Sequence, residues 1–349
     1  MKVAILGDRF ITNEVLQSAL EKAFAGSGID FEYVYLTDDW PVEPVQENEE
    51  VREFVGSDDE VAAAAADAEI ILTHTAPITQ KVVDAARRLR VIAAARGGPV
   101  NINWPACTAR GIPVLYAPGR NSGAVAEFTV GLILAESRNI VRAHMSLMLE
   151  KRWRGDLYVH ECVGLELNSA VVGIVGFGAI GSKTAHLLAG FGSKILVYDP
   201  YVPVDRITGS GYQPVGLDQL LRESDFVSLH CRLTPETRGM LGEREIGLMK
   251  RSAYLINTAR GELVQYDQLY RALKEKRIAG AALDIFEAEP PPPDSPLFEL
   301  DNVTAVTHLG GASIQAAEIG AEVAVRGVYQ FIMGSERPKF CVNPEVFDH

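Results

Sequence analysis

The sequence predicts an α/β protein with two doubly wound parallel sheets, and three observations carry that reading. Short apolar runs alternate with helical patterns along most of the chain, the pattern of buried parallel strands joined by crossover helices. The alternation occurs twice, the second series opening at Val171. The length, 349 residues, exceeds the roughly 250 to 300 residues at which a single core stops growing, so two domains are expected.

In the first series, KVAIL (2–6), FEYVYL (31–36), IILT (70–73), VIAA (91–94) and IPVLY (112–116) read as strands, with NEVLQSALEKAF (13–24) and QKVVDAARRL (80–89) as helices between them. The acidic stretch Thr37–Glu60 reads as a solvated loop and helix face. Ser122–Leu149 is apolar on nearly every face, which predicts a helix buried by more than its own domain. Two readings stay open for it: a central core helix, or a helix that bridges domains and packs against a second subunit.

The second series places strands at VVGIV (171–175), KILVY (194–198), DFVSLH (225–230), AYLIN (253–257), AGAALD (279–284) and VTAVT (303–307). Six strands suit a complete dinucleotide-binding fold. The spacing G-x-G-x-x-G falls at Gly176, Gly178 and Gly181, directly after a strand and at the start of the helix AIGSKTAHLLAGF. Such glycines let backbone approach a pyrophosphate, and the helix N-terminus stabilises its charge. The next strand ends at Asp199. A carboxylate there accepts from the ribose hydroxyls and repels a 2′-phosphate, which favours NAD over NADP; the plainer alternative is an Asp capping the turn DPY. A last apolar pattern, IQAAEIGAEVAVRGVYQFIMG (314–334), reads as a helix with no sheet of its own left to cover.

Four motifs in order, GIVGFGAIGSK (173–183), INTARGELV (256–264), AALDIFEAEP (281–290) and THLGGAS (307–313), resemble those of the D-isomer-specific 2-hydroxyacid dehydrogenases, particularly the D-3-phosphoglycerate dehydrogenase-like branch. The resemblance implies a Rossmann NAD-binding domain, residues 120–311, inserted into a flavodoxin-like substrate domain made of residues 1–119 and 312–349. It implies an NAD-dependent oxidoreductase that moves a hydride to or from C2 of a D-2-hydroxy acid. A dinucleotide-sensing corepressor-like protein of the same fold is the alternative.

Carried over residue by residue, the resemblance implies Arg260 as binder of the substrate carboxylate, His308 as acid/base and Glu289 as its partner. The chemistry of a 2-keto acid asks for the same types: a planar cation for the carboxylate, a proton donor titrating near neutrality, and a carboxylate to orient the imidazole. The implied cofactor contacts are Gly176, Gly178, Ala179, Ile180, Gly181, Asp199, His230, Cys231, Arg232, Thr258, Ala259, Arg260, Asp284, His308, Gly310 and Gly311. Substrate contacts are expected from Arg96, Gly97, Gly98, His74 and Arg260. Arg96 stands in a usual glycine position of the family's substrate loop; it is expected either to bind a second polar or anionic group of the substrate, or to turn outward and pair with a surface acid. Arg232 stands where the family usually has Pro, and Val100 where Asp is usual.

A formal charge of −13 opposes nucleic acid as a partner, because binding to a phosphate backbone rests on clustered Lys and Arg. Cys107, Cys162, Cys231 and Cys341 lie far apart with no C-x-x-C, so neither a zinc site nor a disulfide framework is expected. No apolar run approaches a membrane span, no signal segment is evident, and no amino-acid-sensing domain is expected after His308. A cytoplasmic homodimer acting on a small acid, with no metal and no membrane or nucleic-acid partner, is the expectation.

Overall fold

The structure is a computed structural model that describes residues 1–42 and 45–348; Glu43 and Pro44 of the acidic stretch, and His349, lie outside the described residues. The chain gathers into two compact units, Met1–Asn121 with Ala312–His349, and Ser122–Gly311. The cut falls after Asn121, two residues beyond the expected 119, because Arg120 bonds His74 and the Ala316 carbonyl of the first unit.

The split unit opens with β1 (Lys2–Gly7), α1 (Asn13–Ala23) and β2 (Glu32–Thr37). The acidic stretch that follows contains a short antiparallel pair, β3 (Gln46–Glu47) and β4 (Arg52–Phe54), and the start of α2 (Asp58–Ala65), which Ser57 caps. Next come β5 (Ile70–Thr73), α3 (Gln80–Ala85), β6 (Val91–Ala94), α4 (Trp104–Ala109) and β7 (Val114–Tyr116). The helix at 80–89 is thus shorter than its apolar pattern; Ala86 leaves helical geometry and the turn returns Leu89 to the core. Strand order is β2-β1-β5-β6-β7, all parallel. The chain moves from β1 to one neighbour, β2, and later to the other, β5. The carboxyl ends of β1 and β5 therefore form the switch point at which open α/β sheets leave a crevice.

The second unit starts with α5 (Ser122–Ser137) and α6 (Ile140–Met145), followed by a wider π-type turn at Ser146–Glu150. The expected single helix over 122–149 is broken at Asn139, whose φ of 54° is left-handed. Asn tolerates that region, and its side chain donates to the Cys162 carbonyl while Arg142 bonds both Asn139 and the buried Glu136. Val130, Leu132 and Ile133 of α5 are buried, whereas Ile140, Met145, Leu147, Met148 and Leu149 beyond the break are exposed.

The sheet then forms through β8 (Val171–Val175), α7 (Ala179–Gly190), β9 (Lys194–Tyr198), α8 (Val204–Gly209), β10 (Gln213–Pro214), α9 (Leu217–Glu223), β11 (Phe226–Leu229), α10 (Glu243–Leu248), β12 (Tyr254–Asn257), α11 (Tyr266–Lys274), β13 (Gly280–Leu283) and β14 (Val303–Ala305). Its order is β10-β9-β8-β11-β12-β13-β14, all parallel. The six anticipated strands are joined by a seventh, two-residue edge strand, β10, too short to show in the apolar pattern. Here the switch point lies between β8 and β11.

The chain then returns to the split unit in α12 (Ile314–Met333). This helix does find a sheet: Ala317, Ala321, Ala324, Val325 and Val328 share one core with Leu16, Leu20, Val91, Ala93 and Leu115. Small side chains let it approach closely. The tail beyond it pairs Cys341 with Leu115, and fully buried Asn343 accepts from Val114 N–H and donates to Thr108 and the Ile112 carbonyl. Asn343→Ala leaves a buried donor and acceptor without partners, so it is expected to cost about 2–4 kcal/mol. An unchanged urea midpoint would show that the tail does not hold the sheet edge.

Candidate active site

The glycine turn follows β8. Gly176 has φ +97°, and a Cβ there would lie 2.7 Å from the Cys231 nitrogen; a Cβ on Gly181 would lie 2.0 Å from the Gly176 carbonyl oxygen. Both glycines are buried, while Gly178 and Ala179 are exposed and Ile180 partly so. The turn therefore folds onto itself on one side and presents backbone on the other. Gly178 caps α7 with no side chain, which leaves the first N–H groups of a 12-residue helix free for an anion.

Asp199 closes the turn from the end of β9. One carboxylate oxygen accepts from Tyr201 and Val202 N–H and the other from Phe177 N–H within the glycine turn. Turn-capping and ribose recognition are thus compatible: three lone pairs are used and one remains for a hydroxyl. His230, after β11, shapes the floor of the turn, since a Cβ on Gly181 would also lie 3.2 Å from that of His230. Burial pushes its imidazole down to about 3, so it stays neutral; Nε2 meets Ser228, and Nδ1 is buried without a partner. Arg232 is exposed and its carbonyl accepts from Thr237. Buried Thr258 bonds Thr129 of α5, and the Ala259 N–H bonds Asn257. These groups fit a dinucleotide: close backbone, free helix-end donors and an unsaturated carboxylate.

The three residues expected to do chemistry stand at the carboxyl ends of β12, β13 and β14. Arg260 is exposed and spends one guanidinium donor on the Ala259 carbonyl. His308 Nδ1 lies 2.7 Å from a Glu289 carboxylate oxygen, and the other oxygen accepts from Phe286 N–H at 3.0 Å. The Glu289 hydrogen bond holds His308 above its ordinary range, with Asp284 adding to the effect, against the opposing pull of burial and Arg260. For Glu289, burial alone would raise the carboxyl, yet the His308 bond and charge bring it below its ordinary value. Both shifts favour an imidazolium–carboxylate pair. With Nδ1 occupied by Glu289, Nε2 is the ring nitrogen left free.

Asp284, expected only as a cofactor contact, also organises the loop. Buried at the end of β13, its two oxygens accept from Leu309 N–H at 2.7 Å and Gly310 N–H at 2.9 Å, and its carbonyl accepts from His308 N–H. Gly311 follows, partly exposed.

The remaining expected residues belong to the split unit. Gly97 and Gly98 are exposed, and neither N–H has an acceptor among the described residues. Arg96 pairs with Glu53 through its side chain and the Glu53 carbonyl, the acidic pairing anticipated as the plainer alternative, although its side chain is only 15% exposed. His74 is buried with both ring nitrogens engaged, by Asp8 and by Arg120, so it reaches a ligand only through a neighbour. Arg120, a single Arg in PGRNSG, carries no signal of its own in the sequence. Among the described residues, no three His, Cys, Asp or Glu side chains are grouped to hold a metal ion, and no helix is long and apolar enough to cross a membrane.

A glycine turn that fits a dinucleotide, an imidazolium–carboxylate pair and an accessible guanidinium at the carboxyl ends of one parallel sheet are the parts a nicotinamide-dependent oxidoreductase of carboxylic acids uses. Residues 130–310 match the family model described as "D-isomer specific 2-hydroxyacid dehydrogenase, NAD binding domain". A glyoxylate reductase of Thermofilum pendens is 44% identical over 273 residues, 78% of this chain and 80% of that protein. A D-3-phosphoglycerate dehydrogenase of Methanocaldococcus jannaschii is 38% identical over 77% of this chain, but only 50% of its own length. A crystal structure described as a putative NAD-binding D-isomer specific 2-hydroxyacid dehydrogenase from Polaromonas superposes with a TM-score of 0.79 at 26% identity, over 98% of this chain and 99% of that one. The chain belongs to the D-isomer-specific 2-hydroxyacid dehydrogenases, and NAD is its cofactor.

The charge state of His308 yields a pH test. Because Glu289 raises the imidazole, keto-acid reduction with His308 as the acid should fall only as pH climbs through that raised value. Glu289→Gln should move the falling limb of the kcat/KM profile to lower pH and lower its plateau; an unmoved limb would remove Glu289 from the proton path.

Proposed function

We propose that Arg260, Glu289 and His308 carry the 2-keto acid/D-2-hydroxy acid interconversion, and the observation that supports this most is the His308–Glu289 pair within electrostatic range of Arg260. When bound, NAD supplies the hydride for C2 or accepts it. Arg260 offers its unspent guanidinium donors to the substrate carboxylate and carbonyl, orienting the acid. His308 Nε2 gives the proton to the carbonyl oxygen as it gains charge, and Glu289 steadies the imidazolium that precedes this and the tautomer that follows. In the oxidative direction the same nitrogen takes the hydroxyl proton. The Ser122–Gly311 unit is the cofactor domain in this reading, and the split unit the substrate domain.

His308→Ala is expected to lower kcat roughly 100-fold or more with little change in NAD binding; near-native turnover from pH 6 to 9 would overturn its role. Asp199→Ala should narrow the kcat/KM preference for NAD over NADP, since it removes both a ribose acceptor and a repulsive charge. A wild-type preference for NADP would overturn that assignment.

The assembly proposed is a homodimer through the 122–149 region, supported by the exposed apolar row of Ile140, Met145, Met148 and Leu149. Leu149→Glu with Met148→Glu should halve the mass measured by light scattering; an unchanged mass would place the interface elsewhere. Four cysteines without a disulfide suit a reducing, cytoplasmic setting.

A further inference from the structure

One peptide group behind the His308–Glu289 pair has both of its ends taken. After β13 the chain runs through Asp284, Ile285 and Phe286 to Glu289, and the Asp284 N–H donates to the Asn257 carbonyl at the end of β12. The peptide group between Ile285 and Phe286 faces two ways. Its carbonyl oxygen accepts from the Tyr266 hydroxyl at 2.7 Å, and its N–H donates to one Glu289 carboxylate oxygen at 3.0 Å. The other Glu289 oxygen meets His308 Nδ1 at 2.7 Å. An unbroken chain of hydrogen bonds therefore runs from the phenol through a single peptide group and a single carboxylate to the imidazole, all within the Ser122–Gly311 unit.

Tyr266 suits the donor's place in that chain. It opens α11, and its ring packs against the core that holds Leu255, Leu263, Leu269 and Leu283. Burial foremost, followed by the charges of Glu289, Glu287 and Glu262, holds the phenol above its ordinary range, so the hydroxyl keeps its proton. Ile285 is only 2% exposed, and its carbonyl takes no other donor among the described residues. Without the hydroxyl a buried acceptor would stand unpaired. Backbone contact sets the spacing nearby: a Cβ on Gly261 would lie 2.0 Å from the Phe286 carbonyl oxygen and 2.5 Å from the Glu287 nitrogen. The segments that follow β12 and β13 are thus pressed together, Arg260 leading the first and Glu289 closing the second.

We propose that Tyr266 is a positioning residue of the proton-transfer site, holding the Ile285–Phe286 peptide group so that its N–H fixes the Glu289 carboxylate against His308. A hydroxyl on the carbonyl oxygen stops the peptide plane from turning, and it polarises the group so that the N–H becomes a better donor. The charged groups that act on His308 are Glu289, Asp284 at the end of β13 and Arg260 at the end of β12. Of these, only Glu289 is joined to the phenol by the chain of hydrogen bonds. The Glu289 side chain is 36% exposed, so water can replace an N–H that turns away. Its charge then stays solvated while its orientation is lost, and the weakened bond lets His308 release its proton at lower pH. The inference rests on the reading of His308 and Glu289 as the proton-handling pair.

Tyr266→Phe tests this, since it removes one oxygen and keeps the ring. Histidines labelled with carbon-13 at Cε1 report each imidazole by NMR in the full-length protein, and His308→Ala identifies the resonance of His308. In Tyr266→Phe the His308 titration midpoint should fall by about 0.3 to 1 pH unit, the equivalent of one hydrogen bond. The falling limb of the kcat/KM profile with glyoxylate as probe should move the same way, with KM for NADH within about twofold. Tyr270→Phe removes a hydroxyl of the same helix that meets Lys274, and it should move neither. A lowered urea midpoint with an unmoved His308 titration would reduce Tyr266 to a structural role and overturn the inference. Wild-type protein supplies a check that needs no variant to fold: the Phe286 amide should exchange with solvent more slowly than that of Glu287, which has no acceptor among the described residues. Equal exchange at the two amides would also overturn the inference. Near-native turnover of His308→Ala would instead overturn the proton-handling role of the pair, a failure distinct from an unmoved titration in Tyr266→Phe.

Discussion

The Asp284 carboxylate anchors the loop that carries His308 from the end of a buried strand. Its two oxygens take the N–H groups of Leu309 and Gly310, and its carbonyl takes that of His308. His308 can hold a φ of 55°, costly by about 1–3 kcal/mol for a residue other than glycine, because these charge-assisted bonds over-determine the loop. That backbone twist leaves the imidazole beside Glu289. Asp284 consequently places the His308 imidazole while also favouring its charged form.

Both sheets follow one rule with different endings. At β8/β11 the switch point is opened by glycines whose backbone needs the space a side chain would fill, and the helix behind presents unpaired N–H groups. At β1/β5 it is closed by a saturated Asp–His pair, with Arg120 bonded to its outer nitrogen. One end is a cradle made of backbone; the other is a side-chain relay that aims a cation. Phosphates suit the first because several weak donors spread over their charge.

Local charge runs against the net charge. The chain carries −13 overall, yet Arg120 and Arg260 each hold guanidinium donors to which no described carboxylate is bonded. Arg96 marks the contrast: with Glu53 beside it, the same side chain type has its charge met by the protein.

Period and spacing make much of this molecule readable in one dimension. Buried parallel strands must be apolar throughout, so the main strands of both sheets stand out as runs, and glycines that must meet backbone keep their G-x-G-x-x-G interval. Arg260, Glu289 and His308 are visible because each lies in a local motif at a strand end. The break at Asn139, the closing of α12 over the first sheet and the edge strand β10 are not, because each depends on partners remote in sequence or on two residues without a pattern. The same holds for charge. Arg96 and Arg120 look alike in the sequence, and only the fold decides that one pairs directly with Glu53, 43 residues away, while the other meets His74, 46 residues away, and through it Asp8. Sequence determined which groups the chain owns; tertiary structure decided which of them are already satisfied, because hydrogen bonding and charge compensation act through space.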